Sequence, residues 1–290
     1  MTFRPLLRAT SSIARASALI VLAALCPCTS FGREAVSLPS TLVRAMKQAG
    51  IPDGSVSILV RDAGSDETVI DLNADRPRSP ASTIKVLTTF VALDTLGPSY
   101  TWKTRVYRTG KLSNGVLAGD LVLVGGGDPY MTSDRWWGFV QALRETGLAK
   151  INGDIVIDNT YFAPIAATRA DFDDQPWRSY NVLPDALMVN FQTSNFTFNV
   201  VPQRMRPQVI VNPMPANLVV KNLAQTREGR CTGYNRGIMF NTPDPADPLT
   251  IVVSGTMPAA CGRFSINRAI MTAPDYAYGT FRTLWNQSGG

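Results

Sequence analysis

The sequence predicts an α+β fold, mostly antiparallel sheet with a few helices, in one large domain or two ordinary ones. Three observations predict it. Apolar residues alternate in short runs bounded by Gly, Pro and Asn along most of the chain. Three stretches, 38–49, 81–96 and 135–146, instead carry helical spacing. The 290 residues are 45% apolar and 17% charged, which is ample core material and excludes wholly disordered or collagen-like chains.

The first 32 residues read as an export leader and not as structure. Arg4, Arg8 and Arg15 form a basic start with no acidic residue, and the apolar run 16–25 is too short to span a bilayer. Ser30 and Gly32 put small residues where a signal peptidase inspects, so cleavage before Arg33 is expected. Lipidation at Cys26 or Cys28 is the alternative, disfavoured by Leu25 and Pro27 just before them. No later stretch is long and apolar enough for a membrane span. Removing three arginines from 28 basic residues leaves 25 against 22 acidic ones, a net charge of +3. That small excess, without a basic cluster interleaved with aromatics, gives no reason to expect nucleic acid as a partner. The two remaining cysteines, Cys231 and Cys261, are by default one structural disulfide in an exported protein.

After the leader, residues 38–49 form an amphipathic helix with Ser37 as its expected N-cap. Val56, Ile58 and Val60 alternate in a strand. A turn through Ala63, Gly64 and Ser65 leads to a second strand from Thr68, making a hairpin. Pro77 and Pro80 bracket a loop, and the helix 81–96 follows. Its apolar residues, among them Ile84, Val86, Leu87, Phe90, Val91, Leu93 and Leu96, lie on every side, so it needs cover all round. Only a hairpin and a helix are at hand to supply it. Each side chain left exposed forfeits roughly 1.5–3 kcal/mol of burial.

Beyond Gly97 and Pro98 the texture is β-rich, with strands expected at 101–107, 121–124, 151–158, 196–200, 208–211 and 249–254, and a nested subdomain at about 200–262. An echo, Gly119-Asp-Leu-Val-Leu123 and Gly153-Asp-Ile-Val-Ile157, marks two strands of one domain. Arg108-Thr109-Gly110 reads as a hairpin turn, Gly125-Gly-Gly-Asp128 as a tight turn, and Asp173, Asp174, Asp244 and Asp247 as solvated. The pair Trp136-Trp137 is expected to pack on the sheet.

The absence of histidine decides what chemistry is open to the chain. Ser-His-Asp and Cys-His mechanisms and imidazole-bound zinc are excluded. Metal sites and cofactors are not expected: no Gly-Lys-Ser/Thr follows the glycine run, no Rossmann pattern surrounds it, and the aspartates lack calcium-loop spacing. Ser82 and Lys85 stand three residues apart at the start of the apolar helix and so share a face. An amine beside an alcohol at a positive helix end is the natural serine-activating arrangement without imidazole, since a desolvated lysine can serve as base.

Ser82-Thr-Ile-Lys85, then Gly119-Asp-Leu-Val-Leu-Val-Gly-Gly-Gly-Asp-Pro129, then Gly153-Asp-Ile-Val-Ile-Asp158-Asn-Thr-Tyr-Phe162 follow in order. Together they resemble the penicillin-binding protein 4 type of serine D-alanyl-D-alanine carboxypeptidases/endopeptidases, from about residue 35 onward. The resemblance implies a transpeptidase-like domain, here residues 33–97, interrupted by a large β-rich insertion, here 98–290. It implies hydrolysis of D-Ala-D-Ala termini and crosslinks of murein stem peptides in the periplasm, and β-lactams as covalent inhibitors. Ser82 matches the acylated serine, Lys85 its base, and Asp158 an aspartate near the substrate.

The chain departs from that family in lacking Lys-Thr-Gly, which supplies carboxylate binding and part of the oxyanion hole. Its Ser179-Tyr180-Asn181 has the letters of the Ser-x-Asn motif but sits inside the insertion. Neither motif stands where a compact class A β-lactamase would need it. The expectation is therefore an N-terminal portion of such an enzyme, catalytically incomplete. The competing reading is a non-catalytic module that binds murein or a partner.

Overall fold

The computed structural model describes residues 38–200, 204–233 and 237–290. The expected leader and the Ser37 cap lie outside these residues. The chain divides into two compact units, residues 1–92 and 93–290.

In the first unit, α1 (Ser40–Gln48) begins after Pro39 with no side-chain cap. Strands β1 (Ile58–Arg61) and β2 (Thr68–Leu72) pair antiparallel, with Ile58 opposite Leu72 and Val60 opposite Ile70. Asp62 closes their turn by accepting the amides of Gly64 and Ser65 at 2.9 and 2.8 Å. A short 3₁₀ turn, Ala81–Thr83, then leads into α2 (Ile84–Leu96), which runs across the boundary into the second unit. Helix α2 has no buried residue; Val86 is 75% and Phe90 63% exposed. Among the described residues of the first unit Met46 alone is buried. The apolar surface that the composition of this helix requires to be covered is thus open.

The second unit is a set of small sheets around one continuous core. Its strands are β3 (Arg105–Arg108), β4 (Lys111–Ser113), β5 (Val116–Ala118) and β6 (Leu121–Val124), then, beyond α3 (Ser133–Glu145), β7 (Lys150–Ile151) and β8 (Ile155–Asp158). There follow β9 (Ser194–Asn199), β10 (Gln208–Asn212), β11 (Val219–Asn222), β12 (Gln225–Arg227), β13 (Ile238–Asn241), β14 (Thr250–Pro258) and β15 (Arg263–Arg268), and the chain reaches α4 (Ala273–Gln287). Four sheets result, ordered β3-β6-β8, β4-β5-β7, β10-β9-β15 and β11-β14-β12, the last with β13 also on β14.

The sequence echo has a direct structural meaning. Strands β6 and β8 are parallel neighbours, with Leu121 opposite Ile155 and Leu123 opposite Ile157. Matching Gly-Asp turns feed both: Asp120 accepts the Asp154 amide at 2.9 Å, and a side chain on Gly153 would strike the Gly119 carbonyl. Arg108-Thr109-Gly110 is not a hairpin turn, because β3 and β4 belong to different sheets. It is a crossing point, where a Cβ on Gly110 would lie 1.8 Å from the Ala118 carbonyl oxygen.

The two tryptophans also part company. Trp136 is 1% exposed and Trp137 55%. Trp136 stacks on Phe139, meets Phe281 edge-on, and donates its indole N–H to the Thr280 hydroxyl at 3.1 Å. Those last two partners lie on α4, a helix the alternation pattern does not announce. Thr272 caps it by accepting the Asp275 amide, and Pro274 lies in its first turn. Glycine inside a helix costs about 1 kcal/mol relative to alanine. Here Gly279 is required by packing, since a Cβ would come within 1.8 Å of Asn217 Oδ1.

Cys231 and Cys261 are joined, with Cα atoms 4.9 Å apart and a sequence separation of 30. A loop of that length implies a loss of about 3–4 kcal/mol on reduction, through greater freedom of the unfolded chain. Urea unfolding of Cys231→Ser/Cys261→Ser should show this as a lower midpoint.

Candidate active site

In the first unit the loop before Ser82 is held against the entry to β1. Arg78 donates to the Ser57 hydroxyl at 2.9 Å and to the Gly54 carbonyl at 2.8 Å. Asn73 donates to the Asp53 and Val56 carbonyls, both at 2.9 Å. Ala81 then takes a left-handed φ of 44°, which a residue with a Cβ adopts only when its surroundings force it. The turn closes as the Thr83 hydroxyl and amide donate to the Pro80 carbonyl. Its effect is to put Ser82 at the mouth of α2, one turn ahead of Lys85.

The Lys85 ammonium nitrogen lies 2.9 Å from Ser82 Oγ and donates to it. The two groups are therefore already at proton-transfer distance. Both side chains are exposed, so the desolvation invoked for a lysine base is not supplied by the described residues. The local helix fixes the pair; enclosure is a tertiary matter.

Asp158 belongs to the second unit, at the end of β8. The Thr160 hydroxyl and amide donate to its Oδ1 at 2.7 and 3.0 Å and hold its carboxyl below the ordinary aspartate range. The segment that follows, with Thr160 and Phe162, lines a cavity of about 590 Å³ together with Arg169, Asp185 and Gln192. The three glycines 125–127 let the end of β6 pass beside this segment. A Cβ on Gly127 would lie 2.6 Å from the Phe162 ring, and one on Gly125 would meet the Ala186 carbonyl at 2.3 Å. The run is thus a place of close approach as well as a turn.

Sequence reasoning missed Arg169 and Gln192. Arg169 donates to the carbonyls of Ala269, at 2.7 Å, and Met271, and Gln192 donates to the Met271 carbonyl as well. Burial draws the Arg169 pKa below its ordinary value. These residues lie 79 to 102 positions from the carbonyls they hold, so no local pattern could reveal them. Arg169→Met should cost about 2 kcal/mol by leaving these carbonyls short of charged donors, read as a shift in the urea midpoint.

Ser179-Tyr180-Asn181 forms a 3₁₀ turn with a structural task. Tyr180 O–H donates to Asp173 Oδ2 at 2.7 Å, and Asn181 donates to Asp173 Oδ1 at 2.6 Å and to the Gln175 carbonyl at 3.0 Å. Asp173 is correspondingly a network centre and not merely solvated. No group of three or more metal-ligating side chains occurs among the described residues, and no described helix is long and apolar enough to cross a membrane.

A lysine-paired serine opening an apolar helix, followed along the chain by a β-rich unit, is the arrangement that the resemblance to penicillin-binding serine enzymes implies. The fold agrees. Penicillin-binding protein 4 of Haemophilus influenzae superposes with a TM-score of 0.63 over 80% of this chain and 51% of its own, at 21% identity. Its complex with a β-lactam gives 0.58 over 85% and 52%. The D-Ala-D-Ala carboxypeptidase 3 (S13) family model matches residues 39–290, and the chain belongs to that family. The D-alanyl-D-alanine carboxypeptidase DacB of H. influenzae is 32% identical over 114 residues, 39% of this chain and 24% of that protein. The D-alanyl-D-alanine carboxypeptidase of an Actinomadura species is 25% identical over 211 residues, 71% of this chain and 39% of that one. The chain thus spans less than two thirds of each of these proteins.

Proposed function

We propose that this chain carries the nucleophile segment and β-rich insertion of a serine D-Ala-D-Ala carboxypeptidase/endopeptidase acting on murein peptides. Family membership supports the reaction class, and the 2.9 Å contact between Lys85 Nζ and Ser82 Oγ carries the mechanism. Ser82 Oγ attacks the carbonyl carbon of the penultimate D-Ala while the Lys85 amine, acting as base, takes its proton. The C–N bond to the terminal D-Ala breaks, the departing amine is protonated, and water then hydrolyses the Ser82 ester. A β-lactam would acylate Ser82 by the same attack, its ring amide standing in for the peptide. Asp158, whose carboxyl Thr160 holds below the ordinary aspartate range, is assigned to the substrate by the family resemblance alone. The leader in residues 1–32 fits export to the periplasm, where murein lies.

The reading is tested by release of D-alanine from a pentapeptide ending in D-Ala-D-Ala. Turnover that disappears in Ser82→Ala supports it; turnover that survives excludes Ser82 as nucleophile. The exposure of Ser82 and Lys85 favours a second reading, a murein-binding module without activity. In that case purified murein retains the chain equally well with Ser82→Ala and no D-alanine appears.

A further inference from the structure

Residues of α3, α4 and the end of β10 line a cavity of about 490 Å³ in the second unit. Ligand cavities of this size typically combine apolar walls with a few polar groups. Its floor is apolar, with Trp136 buried and Val211 and Leu284 half-buried. Its mouth is mixed, where the exposed Trp137 stands with Ser133, Asp134, Asn212 and Gln287. The side chains of Ser133, Asn212 and Gln287 and the Trp137 indole N–H are hydrogen-bonded to no other described residue. Asp134 is the one charged residue of the lining. It accepts the Thr132 hydroxyl, and that bond, ahead of the helix amides and of Arg135, holds its carboxyl below the ordinary aspartate range. It therefore stays an ionised acceptor with the Arg135 charge beside it.

This combination selects a ligand class. An anion would meet the Asp134 carboxylate, and a cation would find that carboxylate already in the field of Arg135. A wholly apolar ligand would take water from the polar mouth and return no hydrogen bond. A neutral molecule with one apolar face and a hydroxyl- and amide-bearing edge fits. An acetamido sugar ring is such a molecule. Its C–H face is drawn to the negative face of an indole, and its edge exchanges hydrogen bonds with carboxylate, amide and hydroxyl side chains. We infer that this cavity is a binding site for an N-acetylated hexopyranose of a glycan chain, stacked on Trp137 and hydrogen-bonded through Asp134, Asn212 and Gln287. The inference rests on the murein reading for the source of the sugar, since murein strands are built of N-acetylated amino sugars. It does not rest on that reading for the site, which lies wholly within the second unit.

The test is an NMR titration of the full chain that follows the tryptophan indole N–H signals, with calorimetry for the variants. The probes are N,N′-diacetylchitobiose and its deacetylated, cationic form. Neither carries a D-Ala-D-Ala bond, so the result is separate from that of the D-alanine release assay. The acetylated sugar should shift the Trp137 signal saturably, and the deacetylated one should bind severalfold more weakly for want of its amide hydrogen bonds. Trp137→Ala should weaken binding about tenfold, and Trp137→Phe less, as expected when a stacking ring is lost or kept. Gln287→Ala, on the exposed end of α4, should cost severalfold and keeps the test open should Trp137→Ala unfold. No saturable shift, or wild-type affinity in a folded Trp137→Ala chain, overturns the site. Equal binding of the deacetylated sugar overturns its assignment to an N-acetylated one.

Discussion

Replacing Ser82 with alanine should abolish covalent labelling by a fluorescent penicillin, and Lys85→Met should slow labelling by about 10³-fold. The difference follows from the roles proposed. Ser82 supplies the atom that forms the ester, so nothing remains to be labelled without it. Lys85 supplies proton removal, and positioned general bases contribute about 10²–10⁴-fold. The 2.9 Å contact means that no rearrangement of α2 is needed to bring amine and alcohol together. Methionine retains the length and apolar stem of lysine while removing the amine, so a folding defect is not the expected cause. Labelling of Ser82→Ala at the wild-type rate would transfer the nucleophile to another residue. Labelling of Lys85→Met at that rate would make the lysine a structural partner only.

Trp136→Ala should cost about 4 kcal/mol, while Trp137→Ala, one residue away, should cost less than about 1 kcal/mol. Trp136 fills the space between α3 and α4, against Phe139 and Phe281, and its removal leaves a large cavity. Little of the cost is polar, because Thr280 O–H keeps its bond to the Tyr276 carbonyl at 2.7 Å. For a unit of this size the loss corresponds to a Tm lower by about 10 °C. Calorimetry of the two variants side by side would check it, and equal shifts would contradict the packing described.

These two adjacent tryptophans also mark the limit of what the sequence reveals. Both fit the periodicity of the same helix, and only the presence of α4 on one side distinguishes them. Helix α4 was itself hidden, since Tyr276, Tyr278, Thr280, Phe281, Thr283 and Trp285 favour strands by local preference and Gly279 opposes a helix. Its cap residues Thr272 and Pro274 were the available signal. Burial of Tyr276, Ala277, Phe281 and Trp285 along one face outweighs the local preference.

Features set by neighbours along the chain are legible without tertiary information. A serine and a lysine three residues apart meet because the helical turn brings them together, and the echoed Gly-Asp strands pair because their turns match. The pairing of the two late cysteines needed only counting, on the expectation of export, and the open surface of α2 follows from its composition. Arg169 of the insertion is different. It is a clamp because of the Ala269 and Met271 carbonyls brought close from distant positions. Local geometry thus determined the contact between Ser82 and Lys85, and the order of the motifs pointed to the family. Long-range packing alone decided which backbone carbonyls Arg169 clamps and which aromatic rings are core.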